Sequence, residues 1–132
     1  MKKPILILII ALTASFARAQ VQTSSVSITP INDSQNVSYR LFPTANNYNF
    51  IKLDTRNGKM WQVQWNTESD KRFTTDLSLI SLVAKEDEKN GRFILQATVN
   101  NYNFILIDQI DGRTWQVQWS IDAEKRVVIP IN

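Results

Sequence analysis

An internal repeat with an offset of 54 residues constrains the fold of this chain more than any other feature. The run NNYNFI begins at Asn46 and again at Asn100, and the run WQVQW follows at the same distance in both copies. Aligning 38–78 with 92–132 gives 17 identical positions, far more than unrelated segments of this length share. Such self-similarity at a fixed spacing is typical of a duplicated structural unit. The sequence therefore predicts two units that fold alike.

Each copy carries the sequence signals of antiparallel β-structure. The dipeptides Asn57-Gly58 and Asp111-Gly112 are favoured in two-residue type I′ turns, and each lies between runs in which apolar and polar residues alternate. Each copy therefore contains a hairpin. Further strands are predicted before and after the hairpins, so we expect about eight strands, the additional ones at 39–43, 72–75, 92–98 and 126–129.

These strands predict an all-β fold made of two tandem four-stranded units. We expect the units to pack with pseudo-twofold symmetry as a small barrel or sandwich. A two-residue turn would place Lys52 opposite Val63 and Phe50 opposite Trp65. Because side chains alternate between the faces of a strand, the two Trp of each WQVQW run would then share one face. We expect this face to form the core in both copies.

The N-terminal residues 1–19 predict a secretory signal peptide. Two lysines precede an apolar run at 5–12, and Ala17-Arg18-Ala19 provides the small residues of a cleavage site. The apolar run is too short for a permanent transmembrane helix. We therefore expect an exported protein whose mature chain begins near Gln20. Its location would be the periplasm or the outside of the cell.

The remaining chain divides according to the repeat. We predict a leader and possible first strand at 20–37, β repeat 1 at 38–78, a connector at 79–91 and β repeat 2 at 92–132. The segment 77–88 allows two interpretations. Asp76 and Asn90-Gly91 could begin and end a helix, whereas Pro30 and the β-branched residues of the equivalent segment favour a strand. We expect a strand.

Composition argues against most kinds of catalysis. The chain has no His and no Cys, which excludes Ser-His-Asp and Cys-His nucleophilic sites and Cys/His zinc sites. Of its 15 Lys+Arg residues three lie in the predicted signal peptide, which leaves 12 against 12 Asp+Glu. A neutral mature chain gives no support for a nucleic-acid partner. We expect no enzyme activity, no cofactor, no metal and no permanent membrane anchor.

Asp54 and Asp108 occupy equivalent positions, as do the paired aspartates of aspartic proteases. Those enzymes require Asp followed by Thr or Ser and then Gly. Here the glycine is displaced and belongs to the predicted turn, a place where Asp is common for its turn chemistry. We therefore predict a structural role for both carboxylates.

The repeated NNYN runs supply the candidate ligand-binding residues, namely Asn46, Asn47, Tyr48, Asn100, Asn101 and Tyr102. Aromatic rings can stack on sugars or on another protein, and carboxamides can hydrogen-bond beside them. The other interpretation is that these asparagines only shape the turns. For the four Trp residues, the alternating spacing favours a core over an exposed binding surface.

The doubled pattern Asn-x-Tyr-x-Phe-Ile-x-x-Asp…Gly-x-x-Trp-Gln-Val-Gln-Trp resembles a group of small exported proteins of Gram-negative Bacteroidota, over about 39–132. The resemblance implies a bacterial source and a periplasmic or secreted location, but no activity or ligand. The string that begins at Leu53 is also similar to blades of quinoprotein-type β-propellers, which have one more residue between Gly and Trp. Two copies cannot close a propeller unless the protein oligomerises to complete a ring.

Together these features predict a non-enzymatic binding or interaction protein of the bacterial envelope. Its partner would be an envelope protein or a glycan. The alternative is a structural or assembly protein that pairs through a β edge.

Overall fold

The computed structural model describes residues 36–132, which form eight strands in two antiparallel sheets. Sheet 1 contains β1 (Tyr39–Pro43), β2 (Asn49–Asp54), β3 (Met60–Gln64) and β4 (Phe73–Ser78), and sheet 2 contains β5 (Phe93–Ala97), β6 (Asn103–Asp108), β7 (Thr114–Gln118) and β8 (Val127–Ile131). Neighbouring strands in sequence are neighbours in each sheet. The predicted all-β fold of two four-stranded units is confirmed, and the sheets do not close into a barrel. The predicted signal peptide and most of the leader lie outside the described residues.

The connector differs from the expected strand. Strand β4 ends at Ser78, and between it and β5 the chain forms bends and one short 3-10 turn, Lys85–Asp87. Leu82 donates its main-chain N–H to the carbonyl oxygen of Asn57 at 2.8 Å, and the Ser81 hydroxyl donates to the carbonyl oxygen of Val83. The first bond attaches the connector to the first hairpin turn and the second lies within the connector, so the strand prediction for 77–88 was wrong after Ser78.

The hairpin turns are longer than predicted. The N–H of Asp54 donates to the carbonyl oxygen of Lys59 at 2.8 Å, so the turn comprises residues 55–58. Among the described residues only glycines have a positive φ, which excludes a type I′ turn at Asn57-Gly58. The Asp54 carboxylate accepts the N–H of Arg56 at 3.0 Å, which is the turn chemistry that the sequence predicted for this aspartate.

The longer turn moves the strand pairing by two residues, so Lys52 pairs with Trp61 and Phe50 with Val63. Because side chains alternate with a period of two, this shift leaves every side chain on its predicted face. In each sheet we call the face that carries the Trp residues the Trp face, and the face that carries Ile51 or its equivalent Ile105 the Ile face.

The two sheets bury opposite faces. Sheet 1 buries its Ile face, with Ile51, Leu53 and Met60 inaccessible to solvent, whereas sheet 2 buries its Trp face, with Leu106 and Val117 inaccessible. All five belong to one core cluster, so the Ile face of sheet 1 packs on the Trp face of sheet 2. A twofold axis would bury the same face in both copies. The prediction of pseudo-twofold symmetry was therefore wrong. The two copies stack in the same sense, with their Trp faces on the same side of each sheet.

This stacking also divides the Trp residues. Trp115 and Trp119 are buried, as predicted, but Trp61 is half-buried and Trp65 is exposed. The prediction of a Trp core is therefore confirmed for the second copy and wrong for the first. The sequence could not separate them because the WQVQW runs are identical.

Candidate functional site

The loop between β1 and β2 and the equivalent loop between β5 and β6 have the same internal structure. The side-chain oxygen of Asn46 accepts the N–H of Tyr48 at 2.9 Å, and that of Asn100 accepts the N–H of Tyr102 at 2.9 Å. Such bonds satisfy turn N–H groups that no strand partner reaches. The turn interpretation thus holds for the side-chain oxygens of these two asparagines.

Each loop rests on the Trp that ends its WQVQW run. The ring centroids of Tyr48 and Trp65 are 5.4 Å apart, and those of Tyr102 and Trp119 are 5.5 Å apart. Each indole N–H donates to the main-chain carbonyl of the second Asn in its loop, at 2.9 Å in copy one and 3.0 Å in copy two. The exposed fraction is 48% for Trp65 and 3% for Trp119. In copy two the buried Trp therefore supports a Tyr ring that is itself 56% exposed.

A cleft of about 530 Å³ lies where the loops of the two copies meet. Its lining is Ala45, Asn46, Asn101, Tyr102, Trp119, Ser120, Ile121 and Asp122. The structure thus brings three of the six predicted binding residues together, one from the first loop and two from the second. Asn100 lines two adjoining clefts of about 230 and 290 Å³, and Tyr102 also lines the larger of these. Asn47 and Tyr48 line none of the three.

The polar groups of the large cleft suit a neutral ligand. The Tyr102 hydroxyl and the Asn101 carboxamide have no hydrogen-bond partner among the described residues, so both are available. The charged residue of the lining is Asp122, whose carboxylate lies 3.3 Å from the ammonium of Lys125. Hydrogen-bond donors and acceptors around an aromatic ring, with little net charge, allow recognition of hydroxyl-rich molecules.

Sequence reasoning missed part of this lining. Ser120, Ile121 and Asp122 follow the second WQVQW run, and Ala45 precedes the first NNYN run. Their positions carry no ligand-binding motif. Only the stacking of the two sheets places a residue of the first loop beside the second copy.

The equivalent aspartates are each engaged in an ion pair. Asp108 is inaccessible to solvent and accepts hydrogen bonds from Arg92 Nε and Nη2 at 3.0 and 2.8 Å, with Arg113 Nη2 at 3.2 Å. Burial acts to raise the pKa of Asp108, but the bonds from Arg92 and from main-chain N–H groups outweigh it and hold the pKa below its ordinary value. Asp54 is buried in the same way, and Arg56 lowers its pKa. These contacts support the predicted structural role.

Comparison of the chain with protein-family models, with curated proteins and with solved structures gives no match. Within residues 36–132, no group of acidic side chains is arranged to hold a metal ion, and no helix is long and apolar enough to cross a membrane. The functional assignment therefore depends on the chemistry of the cleft.

Proposed function

We propose that this chain is an exported, non-enzymatic binding protein of the bacterial envelope, and that its large cleft binds a neutral glycan. The observation that carries this proposal is the exposed Tyr102 ring, supported by a buried Trp and placed beside the available Asn101 carboxamide. Sugar rings present apolar C–H faces that pack on aromatic rings, and hydroxyl groups that bond to carboxamides. A volume of about 530 Å³ lies within the range of small-molecule sites, which favours a glycan over a protein partner.

The remaining parts of the proposal have separate support. The signal-peptide pattern at 1–19 and the resemblance to exported Bacteroidota proteins support export and a bacterial source. The absence of His and Cys from the sequence, together with the ion pairing of Asp54 and Asp108, supports binding without catalysis.

The proposal is tested by titrating the protein, purified in the form that bacterial cells export, with neutral oligosaccharides of glucose and of N-acetylglucosamine. We expect saturable changes in the NMR signals of the Trp119 indole N–H and the Asn101 side chain. Tyr102→Ala should weaken binding at least about tenfold because the stacking surface is lost. Tyr48→Ala is the matched control, since Tyr48 lies in the equivalent loop against the equivalent Trp, Trp65, but lines none of the three clefts.

Two results would contradict the proposal. One is the absence of saturable signal changes with every oligosaccharide of the series. The other is an equal loss of affinity in the two Tyr variants, which would show that binding does not depend on the cleft.

The alternative prediction, assembly through a β edge, receives less support. Two of the four edge strands, β1 and β8, contain Pro43 and Pro130, which have no N–H group to donate to an added strand, whereas the edge strands β4 and β5 contain no proline. The outer faces of the sheets provide a better basis for assembly.

A further inference from the structure

The outer face of sheet 1 repeats a face that the molecule buries inside. Leu41 on this Trp face is 56% exposed, whereas its equivalent in sheet 2, Leu95, is 5% exposed. The same contrast holds for Trp65 and Trp119. The apolar and aromatic residues of the outer Trp face are Tyr39, Leu41, Pro43, Phe50, Trp61, Val63 and Trp65, and its exposed strand β4 adds Thr74 and Asp76 beside Lys52. This face is therefore an unusually apolar surface for a sheet that faces solvent.

The outer face of sheet 2 repeats the complementary buried face. Ile105 on this Ile face is 38% exposed, whereas its equivalent Ile51 is inaccessible to solvent. Its aliphatic residues are Ile94, Ile105, Ile107, Val127, Ile129 and Ile131. The strand residues of this face, all in the described part of the chain, include no charged side chain.

We propose that copies of this chain associate head to tail, with the Ile face of sheet 2 of one copy packed on the Trp face of sheet 1 of the next. The internal contact between the two sheets is the template, because the two outer faces are equivalent to the two surfaces that form it. Such a contact joins unlike surfaces, so it produces a closed ring or an open filament instead of a twofold dimer. This inference goes beyond the proposed glycan binding and concerns other surfaces.

One of two polar contacts at the rim of the internal contact has an equivalent at the outer faces. Arg126 Nη1 donates to the Thr75 hydroxyl at 3.2 Å and to the Asp76 carbonyl oxygen at 3.3 Å, across the two sheets. The equivalent of Arg126 is Arg72, whose side chain has no partner among the described residues. The equivalent of Asp76 is Pro130, so the Pro130 carbonyl of one copy would accept from Arg72 of its neighbour, whereas the equivalent of Thr75 is Ile129, which has no hydroxyl group.

The groups of one main-chain hydrogen bond of the internal contact also have equivalents at the outer faces. The N–H of Phe93 donates to the carbonyl oxygen of Thr55 at 2.8 Å, which joins sheet 2 to the first hairpin turn. The equivalent groups are the N–H of Tyr39 and the carbonyl oxygen of Gln109. In the head-to-tail contact these two groups would meet between neighbouring copies.

Two charged positions of the outer Trp face, Lys52 and the exposed Asp76, flank Trp61 and are less favourable for association. Lys52 stands where sheet 2 has the buried Leu106, and its ammonium lies 4.7 Å from the centroid of the Trp61 ring. Covering this charge costs desolvation energy. We therefore expect the contact between copies to be weaker than the internal one and reversible.

The experiment is sedimentation velocity over a wide range of concentrations, with the protein in its exported form. Wild type should pass from monomer to larger species as concentration rises. Leu41→Glu on the Trp face and Ile105→Glu on the Ile face should each weaken association at least about tenfold, because each would bury a carboxylate in an apolar contact. Val99→Glu, in a fully exposed loop position, is the control and should associate as wild type does. Lys52→Leu should strengthen association, a gain that a folding defect would not produce.

Mixing distinguishes a head-to-tail contact from a symmetric one. Leu41→Glu leaves an intact Ile face and Ile105→Glu leaves an intact Trp face, so an equal mixture should form a heterodimer that stops growing. Three results would overturn the proposal: a wild type that stays monomeric at every concentration, a loss of association in only one of the two Glu variants, or a mixture that remains monomeric. If wild type stays monomeric and the fluorescence of Trp65 is protected from a quencher, another part of the same chain covers the Trp face. None of these results bears on the glycan titration, which monitors the cleft.

Discussion

Gly58 and Gly112 end equivalent hairpin turns, with φ angles of 81° and 74°. A Cβ atom at Gly58 would lie 2.7 Å from Leu82 Cδ1, whereas one at Gly112 would meet no atom within 4 Å. The strain of a positive φ is common to both positions. Alanine substitution at the two sites therefore separates backbone strain from packing against the connector.

Gly112→Ala should lower the free energy of unfolding by about 1 kcal/mol, since only the left-handed backbone conformation opposes it. Gly58→Ala should lower it by about 1–3 kcal/mol more, because the added methyl group also overlaps Leu82. Urea denaturation gives both values. When Gly58→Ala is combined with Leu82→Ala, its loss of unfolding free energy should be smaller. Equal losses of unfolding free energy at the two glycines would show that the connector does not restrict the first turn.

Asp108 and Asp54 provide a second matched comparison. Arg92, the partner of Asp108, is buried, whereas the Arg56 side chain is about one-third exposed. Asp108→Asn should cost about 3–5 kcal/mol of unfolding free energy, because it leaves the buried Arg92 guanidinium with only part of its compensation. Asp54→Asn should cost less, since water can solvate Arg56. Thermal or urea unfolding at neutral pH measures the difference.

The same carboxylates determine a response to acid. Both have a pKa below the ordinary value of 3.8 in the folded protein, so the unfolded chain takes up their protons first as the pH falls. Their contribution to stability is complete above pH 3.8 and is lost as the pH falls through the folded pKa. The urea midpoint should therefore decrease with acidification in this range, and Asp108→Asn should flatten the decrease. An unchanged slope in that variant would contradict the assignment.

At the scale of the strands, identical runs have different surroundings. Trp119 follows β7 and is buried, whereas Trp65 follows β3 and is exposed. Trp119→Ala should cost about 3–5 kcal/mol, the usual loss for a large buried side chain. Trp65→Ala should cost clearly less when measured at a dilution that keeps the protein monomeric. Urea denaturation tests both variants, and similar losses would indicate that Trp65 is covered in solution.

A polar pair repeats on the Ile face of both hairpins. Gln62 Nε2 donates to Asn49 Oδ1 at 3.0 Å inside the molecule, and Gln116 Nε2 donates to Asn103 Oδ1 at 2.9 Å on the outer face of sheet 2. The buried pair is tolerated because the two side chains satisfy each other in part, although Gln62 Oε1 has no partner among the described residues. The outer Ile face thus keeps the Gln–Asn pair of a face that the fold already covers.

For the whole molecule, the sense of stacking has the largest consequence. Two copies related by a twofold axis would bury one kind of face and expose the other twice. Copies that stack in the same sense expose one face of each kind, and these two faces are complementary. The chain therefore has the surfaces of a short segment of a longer stack, and repeat proteins need distinct terminal faces to prevent such growth. On the Trp face of sheet 1, Lys52 and the exposed Asp76 supply two charges for that purpose.

The sequence alone was sufficient to predict the repeat, the eight strands and the two faces of each hairpin. These features follow from local rules: alternation with a period of two, turn residues between apolar runs, and identity between the copies. The loops that line the cleft could also be located, because Asn46 and Asn100 begin the same motif. Even the error in turn length did not alter the faces, since the shift was two residues.

The tertiary structure decided which face each sheet buries, and hence where the cleft lies. In the first copy Ile51 and Leu53 share one face while Phe50, Trp61 and Val63 share the other, so both faces are apolar enough to form a core. Alternation identifies such faces but cannot rank them. The choice depends on how one sheet lies on the other, a relation between distant parts of the chain that no local pattern encodes. Burial of Trp119, exposure of Trp65 and the approach of Asn46 to Tyr102 all follow from that packing.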